Sequence, residues 1–258
     1  MMTNRTFYNA SYAEYMVNRT GPMSMAHTND MVFQSLQDLT PEYASVAKAL
    51  EEQEAADFLP DAYSANTELM DGFLAQRAVL AKHLALPNAA VLEIPVSEPS
   101  SVTLALEKPL SRGTIMIQNT NADPRDPPVI DFGAMRNPFD MRVIVLAVQA
   151  ARRYYATPSM LQLGPTELSP GPDAQSDEEI EATVRGMISA SLAHPSGTAS
   201  LLPREHGGVV DPELRVYGVK GLRVVDASII PLIPACHLQS TVYAIAEKAA
   251  DIIKGLKD

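Results

Sequence analysis

No two glycines in this chain of 258 residues are separated by a single residue, and no lysine follows a glycine. Nucleotide phosphates usually rest on a glycine-rich turn at a helix N-terminus, where the backbone comes close and its N–H groups point at the anion. The G-x-G-x-x-G turn of a dinucleotide-binding βαβ unit and the G-K-[ST] of a P-loop are therefore both absent. G-x-S-x-G is absent too, so the chain lacks the nucleophile elbow of the α/β-hydrolases. The chain is expected to fold as one compact unit over residues 1–258.

Residues 1 to 100 read as mostly helical, with a turn at Gly21-Pro22. Thr40-Pro41-Glu42 supplies an N-cap, a proline for the first turn and an early acid, and Val46 and Leu50 follow on an apolar face. A second helix is predicted from about Ser64 to Leu86, with Leu69, Phe73, Ala78, Leu80 and Leu84 inward and Pro87 ending it. From Glu93 the texture changes. Val102 to Leu106, Thr114 to Gln118 and Val129 to Phe132 are short runs bounded by turn chemistry, and they read as neighbouring antiparallel strands.

Helix resumes at Asn137-Pro138 and stops near Pro158, carrying Met141, Ile144, Val145, Val148 and Ala151. A Pro-rich loop, Gly164 to Asp173, precedes a helix that opens with a capping box, Ser176 and Glu179. Ile180, Val184, Met187, Ile188 and Leu192 continue it at helical spacing. The last element runs from about Thr241 to Leu256, with Ile245, Ala249, Ile252, Ile253 and Leu256 on one face.

The formal net charge of -11, from 20 Lys+Arg against 31 Asp+Glu, argues against nucleic-acid binding, which needs clustered positive charge. It also disfavours steering of acidic ligands, so a neutral or weakly polar small molecule is the expected substrate. The first residues lack a basic stretch followed by an apolar one, and no apolar run approaches the roughly 18 residues of a membrane span. A cytoplasmic protein with no membrane partner is expected, which leaves the sequons at Asn4, Asn9 and Asn18 unused. The single cysteine, Cys236, permits no internal disulfide and reads as a buried, inert residue.

The five histidines show neither H-x-H nor H-x-x-x-H spacing, and one cysteine makes no CxxC, so no metal site is expected. The acidic stretch Asp123 to Asp126 reads as a solvated turn. Two histidines stand in unusual settings. His194 is predicted at the end of an amphipathic helix, followed by Pro195-Ser-Gly-Thr, and His237 lies just before the C-terminal helix. Two histidines in one pocket suit proton transfer near neutral pH. The alternative is that each is a satisfied core histidine or cap.

At these residues the chain resembles a known family. His194-Pro-Ser-Gly-Thr-Ala-Ser-Leu-Leu-Pro, Gly208-Val-Val-Asp-Pro-Glu-Leu-Arg-Val-Tyr-Gly, Gly221-Leu-Arg-Val-Val-Asp-Ala-Ser and the stretch from His237 to Lys254 resemble the C-terminal signature of the glucose-methanol-choline (GMC) oxidoreductases, with the fungal aryl-alcohol-oxidase-like members nearest. Tyr15-Met-Val-Asn-Arg-Thr-Gly-Pro, Pro109-Leu-Ser-Arg-Gly-Thr-Ile and Asp123-Pro-Arg-Asp-Pro-Pro-Val-Ile-Asp resemble that family's substrate-binding region. The resemblance implies FAD-dependent oxidation of alcohols, with His194 as the base, His237 as its partner, and Asp226, Ala227 and Leu238 at positions lining the flavin. It also implies an α+β fold, an antiparallel sheet backed by helices with a C-terminal helix that normally completes the flavin domain, and a wider pocket at Ala193, where members often carry an aromatic residue.

Complete members begin with a flavin-binding βαβ region, which this chain does not show. Three expectations follow. The first is a truncated, cofactor-independent enzyme of isomerase, cyclase or dehydratase type in a fungal biosynthetic pathway, with His194 and His237 as acid and base. The second is the substrate-binding half of a split oxidase whose FAD comes with a flavin-domain partner. The third is a non-catalytic remnant or binding protein.

Overall fold

The computed structural model describes residues 4–24, 30–96, 103–119, 123, 125–162 and 164–255. In chain order the elements are helix α1 (Arg5–Asn18), strand β1 (Asp30–Ser35), helices α2 (Leu36–Leu39), α3 (Tyr43–Glu52), α4 (Asp61–Ala65) and α5 (Thr67–Leu84), and strands β2 (Ala90–Val96), β3 (Ala105–Leu106), β4 (Thr114–Met116) and β5 (Val129–Asp131). Helices α6 (Pro138–Tyr155), α7 (Pro158–Leu161), α8 (Asp177–Arg185) and α9 (Leu238–Lys254) complete them. Helices and small antiparallel sheets share one chain, which is the expected α+β class.

The strands do not assemble as the sequence suggests. β1, β2 and β3 form one antiparallel sheet in that order, and β4 pairs with β5 in a separate hairpin. Two of the three strands in the larger sheet therefore come from residues 1 to 100, which read as helical. The register sets Phe33 opposite Glu93 and Glu93 opposite Ala105. Short apolar runs do not distinguish strand from helix by themselves, and pairing partners some 60 residues apart decided the matter. Val102 lies outside the described residues.

Helix termini follow local chemistry closely. The Asn137 side chain accepts a hydrogen bond from the Phe139 N–H and Pro138 opens α6, while the Ser176–Glu179 capping box starts α8 as the sequence indicates. Thr40 instead closes α2, its hydroxyl accepting from the Glu42 N–H, and α3 begins three residues later at Tyr43. α5 is shorter than the predicted span. Phe73, Leu80 and Leu84 are buried but Ala78 faces solvent, since the buried seam passes through residues 73, 80, 81 and 84.

The main core packs α2, α3, α5, β2 and α6 together through Leu36, Leu50, Phe73, Leu92, Val143 and Leu146. A second cluster joins Met141, Val145 and Val148 of α6 to Ile180 of α8, and a third joins Val210, Leu214 and Ile229 to Ala249 of α9. α9 starts at Leu238, earlier than predicted, and Ile252 packs inward while Ile253 is exposed; Leu256 lies outside the described residues. No described helix is long and apolar enough to cross a membrane.

Candidate active site

α8 ends at Arg185, so His194 sits nine residues beyond it in irregular chain, contrary to the expectation of a helix-end histidine. Met187 and Leu192 are correspondingly exposed. What holds His194 is a set of backbone bonds. Its N–H donates to the Ser191 hydroxyl at 3.1 Å, and Ala193 before it adopts a left-handed φ of 62°. The segment after it is laced to residues 227–229, with N–H groups of Gly197, Ala199 and Leu201 donating to the carbonyls of Ala227, Ser228 and Ile229.

That lacing matters because residues 227–229 lead into the proline-bracketed loop that delivers His237. Lys108 pins the loop from the other side, its Nζ donating to the Ile233 carbonyl at 2.8 Å. His237 is the N-cap residue of α9, and Leu238, buried behind it, anchors the helix start.

The two imidazoles meet. His194 Nε2 lies 2.9 Å from His237 Nδ1, with the rings 4.8 Å apart and nearly perpendicular at 87°. His237 Nε2 lies 2.9 Å from Glu93 Oε1, whose side chain is only 2% exposed while that of His237 is 44% exposed. A carboxylate at Nε2 makes that nitrogen the donor, leaving Nδ1 to accept from His194. Sequence reasoning missed Glu93. Its signal is a lone acid inside Val91-Leu92-Glu93-Ile94, a charge that a buried strand tolerates only with a partner.

Glu107 and Lys108 were missed as well. Burial, reinforced by the Glu93 charge and by a hydrogen bond to Glu93, pushes the Glu107 carboxyl up to about 7, against the opposing pull of Lys108 and His237. Burial likewise lowers the Lys108 ammonium below the usual lysine range. A carboxyl raised from 4.5 to about 7 binds more protons in the folded than in the unfolded chain across that window. Its contribution to stability is therefore complete below pH 4.5 and lost as the pH rises through about 7. We expect thermal denaturation to show a loss on the order of 1–2 kcal/mol from this group between pH 5 and 8, largely absent in Glu107→Gln.

A cavity of about 2130 Å³ opens beside these groups, lined by His194, Glu107, Lys108, Asp226, Ala227 and Cys236 among others. His237 and Leu238 are not on its wall, and neither is Ala193, which is exposed. The Asp226 side chain is turned to its own backbone, accepting from the Ser228 N–H at 2.8 Å and from the Ser228 hydroxyl. Cys236 is half-buried on the cavity wall instead of sealed in the core, with its thiol 3.7 Å from the Thr241 hydroxyl. Among the described residues no cluster of histidine, cysteine and acids could hold a metal ion. Asp123 is half-buried and paired with the exposed Arg125 in a turn.

The family profile described as GMC oxidoreductase matches residues 109–246. A dehydrogenase named xptC from Emericella nidulans is 36% identical over 225 residues, covering 86% of this chain and 36% of that protein. A dehydrogenase named eriK from Hericium erinaceus is 33% identical over 98% of this chain and 39% of its own length. Among solved structures, an FAD-dependent oxidoreductase from Chaetomium thermophilum superposes with a TM-score of 0.91 at 35% identity, and a fungal aryl-alcohol oxidase with 0.87 at 37%. Each is covered over 43% of its length by 98% of this chain. The chain thus spans about two fifths of the relatives it matches, and across that span it belongs to the GMC oxidoreductase family.

Proposed function

We propose that this chain catalyses proton transfer on a neutral, largely apolar small molecule, with His194 and His237 as the acid/base pair and a redox-neutral outcome such as isomerisation, dehydration or cyclisation. The observation that supports it is the hydrogen-bonded array of His194, His237 and Glu93 at the edge of one large cavity. A buried carboxylate at the far nitrogen of His237 fixes its tautomer. Such an array takes and returns protons near neutral pH without any electron acceptor. The cavity exceeds the roughly 300–1,000 Å³ of ordinary small-molecule sites, so it accommodates a multi-ring compound.

The chain's own residues fit only part of FAD, the group named for one of the relatives above. Asp226 and Ala227 stand on the cavity wall and suit one edge of a planar ring system, whereas Leu238 is buried away from it. No glycine-rich turn is present to cradle a pyrophosphate. These residues make one margin of such a site and not the whole, so the proposed steps use side chains of this chain alone.

The test is deuterium exchange. Incubated in D2O with neutral enolisable or hydroxylated aromatic compounds, the protein is expected to exchange ligand protons or convert the compound, read by mass spectrometry. Exchange that persists in His194→Ala would overturn the assignment.

A second reading has its own support. The β4–β5 hairpin exposes Ile115, Met116, Ile117, Val129, Ile130 and Phe132, an apolar surface that suits burial against another polypeptide body. In that reading the chain holds the alcohol for a flavin-bearing partner that accepts the hydride, as an oxidase or dehydrogenase. Visible flavin absorbance that co-purifies with the chain and a second protein would favour it, while a stable, colourless monomer would count against it.

A further inference from the structure

Glu107, the second carboxyl behind the histidines, is not used by the chemistry above. Glu93 faces Ala105 across the β2–β3 ladder, and the Glu107 N–H donates to the Val91 carbonyl just beyond it. Side chains two apart on a strand share a face, so Glu93 and Glu107 are diagonal neighbours on one side of the sheet. Burial, with the Glu93 charge beside it, raises the Glu107 carboxyl, so Glu107 carries the proton of the pair and is the donor toward Glu93. Both residues are buried, yet Glu107 also lines the cavity, whereas Glu93 and His237 do not.

His194, His237 and Glu93 are hydrogen-bonded in series, Glu107 adjoins Glu93 on the same face of the sheet, and His194 and Glu107, the two ends, lie on the wall of the same cavity. We propose that Glu107 is the second cavity-facing terminus of a four-residue proton relay, delivering a proton to one position of a bound molecule as His194 removes one from another. The inference rests on the reading of His194 and His237 as acid and base.

The relay balances without an oxidant. A ligand O–H or acidified C–H bond breaks as an N–H bond forms at His194 Nδ1. The His194 Nε2 proton passes to His237 Nδ1, and the His237 Nε2 proton passes to Glu93 Oε1. Glu107 gives its own proton to the ligand, and the resulting carboxylate accepts a hydrogen bond from the newly protonated Glu93. The line gains and loses one proton, and the ligand has moved a hydrogen between two sites. The substrate class that fits is a neutral molecule with a hydroxyl or activated C–H and a basic carbonyl or departing hydroxyl elsewhere in its frame.

The groups facing Glu107 are Glu93 from β2, His237 ahead of α9, and its neighbour Lys108, which is itself near Cys236. The test uses the full chain labelled with 15N-histidine, its imidazoles followed by NMR from pH 5 to 9, together with potentiometric titration. In Glu107→Gln the charge that develops beside His237 above neutral pH is removed. The His237 midpoint is expected to move down by about one unit, and proton release between pH 6 and 8 to fall by about one per chain.

Glu93→Gln cuts the line at its centre and is expected to uncouple the Glu107 titration from that of His237, which guards against a fold defect in the first variant. Histidine titrations unchanged in folded Glu107→Gln, or a coupling that survives in Glu93→Gln, would overturn the relay. A coupled line together with ligand exchange indifferent to His194→Ala would show the residues joined but overturn the acid/base reading, and the relay with it.

Discussion

Gly72→Ala is expected to lower the melting temperature by roughly 6–12 °C, corresponding to about 3 kcal/mol for a chain of this size. Gly72 is buried in α5 where the helix crosses the turn at Arg204–His206. A methyl group there would lie 2.1 Å from the His206 carbonyl oxygen and 2.9 Å from its carbon. Both are backbone atoms, which cannot swing aside as a flexible side-chain tip can, so the turn or the helix must shift. Displacing the turn would also disturb His206, which lines the cavity and whose Nδ1 is buried without a partner. Gly186→Ala is the matched control. Its φ is ordinary, and the added carbon would meet the Thr183 carbonyl oxygen at 3.6 Å, an ordinary contact. Thermal denaturation should place that variant within about 0.5 kcal/mol of the parent.

His194→Ala is expected to reduce turnover on a converted ligand by roughly 10²- to 10⁴-fold, the usual worth of a positioned acid or base. His237→Ala should cost activity too, but with a different signature. Removing His237 leaves the almost fully buried Glu93 carboxylate without that partner, which destabilises the fold by about 1–3 kcal/mol. His194 has no such buried dependant, so its variant should melt near the parent temperature. The double variant should lose little more activity than His194→Ala alone, because residues acting as one unit are not additive. Steady-state kinetics and calorimetry on the three variants check the set. Full additivity of the activity losses would contradict a joined pair.

The part of the fold that rests on adjacent residues was legible in the sequence. Ser176 with Glu179 and Asn137 with Pro138 mark helix starts whose chemistry lies within three residues, and both formed where expected. β1 and β2 were not legible, because Met31-Val-Phe and Ala90-Val-Leu become strands only by pairing with one another. The histidine pair was visible through its motifs, yet the ending of α8 at Arg185 was not, since Met187 and Leu192 keep a helical spacing that no packing surface uses. Glu93 and Glu107 escaped for a third reason. An acid in an apolar run signals a partner, but only the sheet register discloses which partner it meets.

The bond between His237 and Glu93 joins residues 144 apart in sequence, and the one between His194 and His237 spans 43. Contacts of such separation form late, because the intervening chain must be ordered before they repay the entropy of closure. On the ribosome, at about 5–20 residues per second, His237 follows Glu93 by roughly 7–30 s. Throughout that interval the Glu93 carboxylate has no imidazole to meet and is best kept in water, so this face of the sheet has reason to stay open until the C-terminal helix arrives. The site therefore cannot close before the start of α9 has been made, and until then the growing chain carries the acid without the base.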